Sequence, residues 1–131
     1  MEPLIILPTD STPHIVFDAG RGIFEMTGES RPENAKAFYD PVIEWIKDFC
    51  TKSILERRQE KVVFSVFFEY FSSSSAKYLM NILARLEELH KGSIPTEIRW
   101  VYYDIDLEMK EAGEEFQKLL SVPFKFEVVV Q

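Results

Sequence analysis

A single cysteine, Cys50, in 131 residues excludes an intrachain disulfide framework, and its place inside an apolar, helix-like pattern marks a buried structural thiol. Histidine is almost as scarce: His14 and His90 lie far apart, neither has a spaced partner, and no metal-ligand set can be assembled. Five glycines are too few for much phosphate-cradling loop, and neither the P-loop string nor the G-x-G-x-x-G fingerprint occurs. No serine stands in G-x-S-x-G and no motif ties a histidine to one, so nucleophilic catalysis has no equipment. Cations are outnumbered, 15 against 22 acidic residues, and the net charge of −7 argues against nucleic-acid binding and against docking on anionic lipid. Long apolar runs are missing too. The longest patch, Val62 to Phe71, is broken by Ser65 and Glu69, well short of the roughly 18 residues of a spanning helix. The start, Met-Glu-Pro-Leu-Ile-Ile-Leu-Pro, is no secretory signal, and a cytoplasmic location is expected.

What is present is aromatic. Phe, Tyr and Trp make up 14 % of the chain and apolar types 46 %, enough for one core in one domain spanning residues 1–131. His14 to Phe17 and Gly22 to Thr27 read as a strand hairpin turned at Asp18-Ala19-Gly20-Arg21. Ser30-Arg31-Pro32-Glu33 carries a capping-box pattern and Asp40-Pro41 a second start signal. Together they predict a short helical turn near Asn34 to Tyr39, then a longer helix from Pro41. Val42, Trp45, Ile46 and Phe49 give that helix one apolar stripe. Lys61 to Phe71 is apolar on both faces, the mark of an inner strand, and Pro95 to Tyr103 reads likewise. Ala76, Leu79, Met80, Leu83 and Leu86 form a second stripe ending near His90 and Gly92. Met109, Ala112, Phe116 and Leu119 form a third after a cap at Asp104 or Asp106, and Phe124, Phe126, Val128 and Val130 alternate as a last strand. The fold class is α/β: a mixed sheet with an N-terminal hairpin and three helices mainly on one face.

The acidic pairs Glu87-Glu88, Glu114-Glu115 and Asp104 with Asp106 fit the solvated faces of amphipathic helices better than acid–base pairs. Trp45, Trp100, Tyr102 and Tyr103 fit core packing better than a pocket. The run Ser72-Ser73-Ser74-Ser75 is more informative, because it falls between an inner strand and an amphipathic helix. Its hydroxyls sit where orphan N–H groups and the positive end of the helix dipole favour an anion. One serine can cap the helix while the others fill the turn; a phosphorylated serine would add nearly two negative charges there.

The order of elements and the serine loop resemble STAS domains of anti-sigma-factor antagonists, whose regulatory phosphorylation site opens the helix after an inner strand. A closer resemblance rests on Ser11-Thr12-Pro13, Met26-Thr27-Gly28-Glu29-Ser30, Pro32-Glu33-Asn34, Val42-Ile43-Glu44-Trp45, Tyr70 with the serines, and Leu86-Glu87-Glu88 before His90. With Gly28 to Asn34 as its most specific string, the chain resembles the SiaC family of regulatory phosphoproteins over nearly its whole length. The resemblance implies a non-enzymatic switch without cofactor. A serine/threonine kinase modifies the loop, a PP2C-type phosphatase reverses this, and the unmodified form binds and activates a diguanylate cyclase in biofilm or aggregation control. The family's modified threonine, in an Asn-Thr-Ser-Ser string, corresponds to Ser73. Ser72 and Ser74 are alternates, and Ser72 to Ser75 form the partner-binding segment. An anti-sigma-factor antagonist or a STAS-like module for a small molecule or lipid is the alternative function.

Overall fold

The computed structural model describes residues 1–131. Six strands, β1 (Leu4–Ile6), β2 (His14–Asp18), β3 (Ile23–Ser30), β4 (Val62–Phe71), β5 (Thr96–Tyr103) and β6 (Phe124–Val129), lie side by side in sequence order in one sheet. Its first three strands are antiparallel to one another, and β3 to β6 run parallel. The parallel neighbours need crossovers, which α1 (Ala35–Leu55), α2 (Ser73–Lys91) and α3 (Leu107–Leu119) supply.

Period-two alternation sorts the sheet into two faces. Ile15 and Phe17, Phe24 and Met26, Val62, Phe64, Val66 and Phe68, and Ile98 and Trp100 point to the side the helices cover, each at most 2 % exposed. Val42, Ile46 and Phe49 of α1, Leu79, Ile82, Leu83, Leu86 and Leu89 of α2, and Met109 and Phe116 of α3 close the core from the other side. Cys50 is buried in this layer. The opposite face has no helix over it; Phe67 and Tyr103 meet there at 5.1 Å between ring centroids, beside a ladder of Lys61, Glu97, Arg99 and Glu127. No helix is long and apolar enough to cross a membrane.

The hairpin, the inner strands, the caps of α2 and α3 and the three stripes agree with expectation, and four details do not. First, α1 is one continuous helix from Ala35, and Pro41 lies inside it. The ring costs the N–H that would bond the Ala37 carbonyl, yet the buried stripe on either side holds the helix together. Second, Ser30 is no cap: it ends β3 fully buried, and Asn34 caps α1 by accepting from the Ala37 N–H at 3.0 Å. Third, Leu4–Ile6 adds an edge strand beside the hairpin. Fourth, Leu119, placed on the third stripe, is 68 % exposed at the last residue of α3, and the alternation of β4 breaks at its end: the register shift opposite Gly28 and Glu29 skips Glu69, so Tyr70 is 50 % exposed while Phe71 packs against Trp100 and Phe116.

Candidate functional site

Strand β4 runs out at Phe71, and the next residue turns the chain into α2. Ser72 caps the helix: its backbone is extended (φ −76°, ψ 164°), its Oγ accepts from the Ser75 N–H at 3.2 Å, and its carbonyl accepts from the Ala76 N–H at 2.9 Å. The same residue is tied to β3, its N–H donating to the Ser30 carbonyl at 2.8 Å.

Beneath the loop lies a buried hydroxyl cluster that joins three elements. Ser75 donates its hydroxyl to the Ser30 carbonyl at 3.0 Å and accepts from the Ser30 hydroxyl at 2.8 Å and the Ser72 hydroxyl at 3.0 Å. The Ser30 hydroxyl also meets the hydroxyl of Tyr39, from the second turn of α1. Ser30, Tyr39 and Ser75 are each at most 1 % exposed. Burial pushes the Tyr39 phenol above its ordinary pKa, with the serine hydrogen bonds pulling the other way, so Tyr39 is a neutral member of the network. Its ring stacks on Tyr78 of α2, centroids 5.6 Å apart. A buried polar cluster with every hydroxyl partnered fixes one geometry, because an orphaned member would cost its full desolvation.

The serines therefore divide. Ser75 is sealed in the core, Ser72 is half-buried and engaged as the cap, and Ser73 and Ser74 are exposed on the first turn of α2. The N–H groups of Ser73 and Ser74 find no acceptor in the protein, and the first turn carries no acidic side chain. Lys77 is exposed one turn along, at i+4 from Ser73 and i+3 from Ser74, positions at which a helix brings side chains together. The loop is thus a cationic helix end with two reachable hydroxyls. It holds no acid, base or metal-ligating group that would turn a hydroxyl into a nucleophile, and no group of three or more His, Cys, Asp or Glu side chains converges anywhere in the chain.

The other half of the site comes from the string Gly28 to Asn34. Gly28 takes φ +101°, a conformation strained for any side chain, at a register shift of β3 against β4. The shift delivers Ser30 to the hydroxyl cluster, and Asn34 starts the helix that brings Tyr39. Arg31 is held outside by Glu29 at 2.9 Å and donates to the Asp10 carbonyl at 3.0 Å, while its N–H reaches the Ser11 carbonyl at 2.8 Å, which pins the Ser11-Thr12-Pro13 segment.

Residues 6–129 match the model of the SiaC family of regulatory phosphoproteins. The chain belongs to the SiaC family. An uncharacterised protein of Pseudomonas aeruginosa strain UCBPP-PA14 is 36 % identical over 124 residues, 95 % of this chain and 94 % of its own length. Solved SiaC structures share the fold. The crystal structure of apo-SiaC from Pseudomonas aeruginosa superposes with a TM-score of 0.83 at 32 % identity, over 97 % of this chain and 99 % of that one. SiaC in its complex with the diguanylate cyclase SiaD, which it activates, superposes with a TM-score of 0.86 at 33 % identity, over 96 % and 99 %.

The sequence pattern gives neither Tyr39 nor Lys77 a part in the site. Tyr39 hides in a helix start that reads as a separate turn, and Lys77 is one of many surface cations; the spacing of Lys77 from Ser73 is the one signal the sequence offers for it.

Proposed function

We propose that this chain is a non-enzymatic SiaC-type switch. In its unphosphorylated form it binds and activates a diguanylate cyclase, and a phosphate placed on Ser73 releases that partner. A serine/threonine kinase would write the mark and a PP2C-type phosphatase erase it, in the cytoplasm. The observation that carries the reading is the division of the serine run: Ser73 stands exposed at the first position of α2 while the hydroxyls of Ser72 and Ser75 are engaged beneath it.

The physics of the switch follows from that placement. A phosphate on Ser73 meets two free backbone N–H groups, the positive end of the helix dipole and the Lys77 ammonium, so the fold accepts a dianion without rearranging. The cost falls on the complex. The exposed Tyr70 ring lies two residues before the loop, and a partner packed on ring and serines would have to desolvate nearly two new charges.

Intact-mass spectrometry and phosphosite mapping after incubation with a candidate serine/threonine kinase from the same organism test the site. A single phosphate on Ser73, absent in Ser73→Ala, is expected. Ser73→Asp should stay folded, with a Tm within about 2 °C of the parent, since a first-turn anion changes stability by about 0.5 kcal/mol. It should bind the cyclase at least about tenfold more weakly, near 1.4 kcal/mol. Full phosphorylation of Ser73→Ala would move the site to Ser74 or Ser72.

A further inference from the structure

The two edges of the sheet are protected very differently. On one side β1 has three residues between Pro3 and Pro8, too short and too interrupted to template another strand. On the other, β6 runs six residues without proline, glycine or bulge, and β5 is its only strand neighbour. The carbonyls of Pro123 and Val129 accept from the N–H groups of Ile98 and Asp104, both at 2.8–2.9 Å. Strand alternation turns the backbone groups of Lys125 and Glu127 the same way and leaves the N–H and C=O of Phe124, Phe126 and Val128 along the open edge. Val128 is 54 % exposed and Val130 82 %.

We propose that β6 pairs antiparallel with β6 of a second copy of this chain about a two-fold axis through Phe126, joining two sheets into one of twelve strands. A two-fold interface must be self-complementary, and of the registers open to this edge only the one centred on Phe126 pairs Phe124, Phe126 and Val128 all with one another. The open-edge groups belong to Phe124, Phe126 and Val128, so only registers that bond these to one another are allowed. Centring on Phe126 sets Phe124 against Val128 of the second copy and Lys125 against its Glu127, twice over. Centring on Lys125 or on Glu127 instead opposes two lysines or two glutamates, which is destabilising. In the Phe126 register the Lys125–Glu127 pairs fall at the non-hydrogen-bonded positions, where side chains lie nearest. They also extend the ladder of alternating charge on the open face, in which Glu127 is already 3.1 Å from Arg99 and Glu97 is 3.2 Å from Lys61. The assembly closes on itself, because the edges left outside are the short β1 strands.

Sedimentation velocity over a range of concentrations tests the proposal. The molar mass of the parent chain should rise toward twice its monomer value, and both Lys125→Glu and Glu127→Lys should remain monomeric over the same range. An equimolar mixture of the two variants should dimerise again, since each supplies the charge its counterpart lacks. Val128→Pro, which removes one of the open-edge N–H groups and no bond to β5, should also stay monomeric, with circular dichroism confirming that it folds. A parent chain that is monomeric throughout, single variants that still dimerise, or a mixture that fails to do so would overturn the proposal.

Discussion

Ser75 and Ser73 are the same amino acid two positions apart, and their surroundings give them different work. Ser75 spends its hydroxyl on three hydrogen bonds, donating to the Ser30 carbonyl and accepting from the Ser30 and Ser72 hydroxyls, whereas Ser73 has none. Removing the Ser75 hydroxyl leaves a buried donor on Ser30 with Tyr39 alone. Ser75→Ala should therefore lower stability by about 1–2 kcal/mol, read as a lower urea midpoint, while phosphorylation of the loop continues. An unchanged midpoint would show that the cluster contributes nothing. Glu87 shows a carboxylate used in the same way: it accepts from the Ser121 hydroxyl and, at 2.7 Å, from the Ser121 N–H. Those bonds hold its pKa below the usual carboxylate range and pin the start of β6 to α2. The acidic pair Glu87-Glu88 is thus half solvated face and half strut, a distinction that helical periodicity does not carry.

At the scale of elements, α3 approaches the sheet more closely than any side chain but hydrogen would allow. A Cβ on Gly113 would lie 2.5 Å from the indole of Trp100, which is fully buried and whose Nε1 donates to the Met109 carbonyl at 2.9 Å. Glycine within a helix normally costs about 1 kcal/mol relative to alanine, so an exposed site would gain from the exchange. Here overpacking wins, and Gly113→Ala should lose about 1–3 kcal/mol in chemical denaturation; a stabilised variant would mean that α3 can lift off freely. The sequence offers Gly113 as an ordinary breaker in an otherwise good helix, because the constraint comes from Trp100, thirteen residues away on another element. Pro41 carries the converse lesson. Local rules place it at a helix start, and it sits instead on the exposed side of a 21-residue helix, where the packing of Tyr39 and Val42 outweighs one missing hydrogen bond.

The molecule as a whole keeps two protons that an unfolded chain would release. Burial pushes the Cys50 thiol from 9.0 to about 12 and raises the Tyr39 phenol above 10.0. Both pKa values are higher in the folded state, so their contribution is complete below the unfolded values and is lost as pH rises. Urea midpoints should fall from about pH 9 upward, less steeply in Cys50→Ala, and a flat profile to pH 11 would contradict the burial of both groups. By itself the sequence determined the α/β class, the hairpin, the inner strands, the helical stripes and the family, because hydrophobic period, turn residues and the Gly28 to Asn34 string are local quantities that survive without coordinates. It also singled out the serine run. Only the tertiary structure decided which serines of the run are reachable, that Ser30 closes a hydroxyl cluster with Tyr39 and Ser75 in place of capping a helix, and that β6 is the unprotected edge. Each of these depends on which polar group is left beside water once distant segments have packed, and burial is a property of the assembled chain.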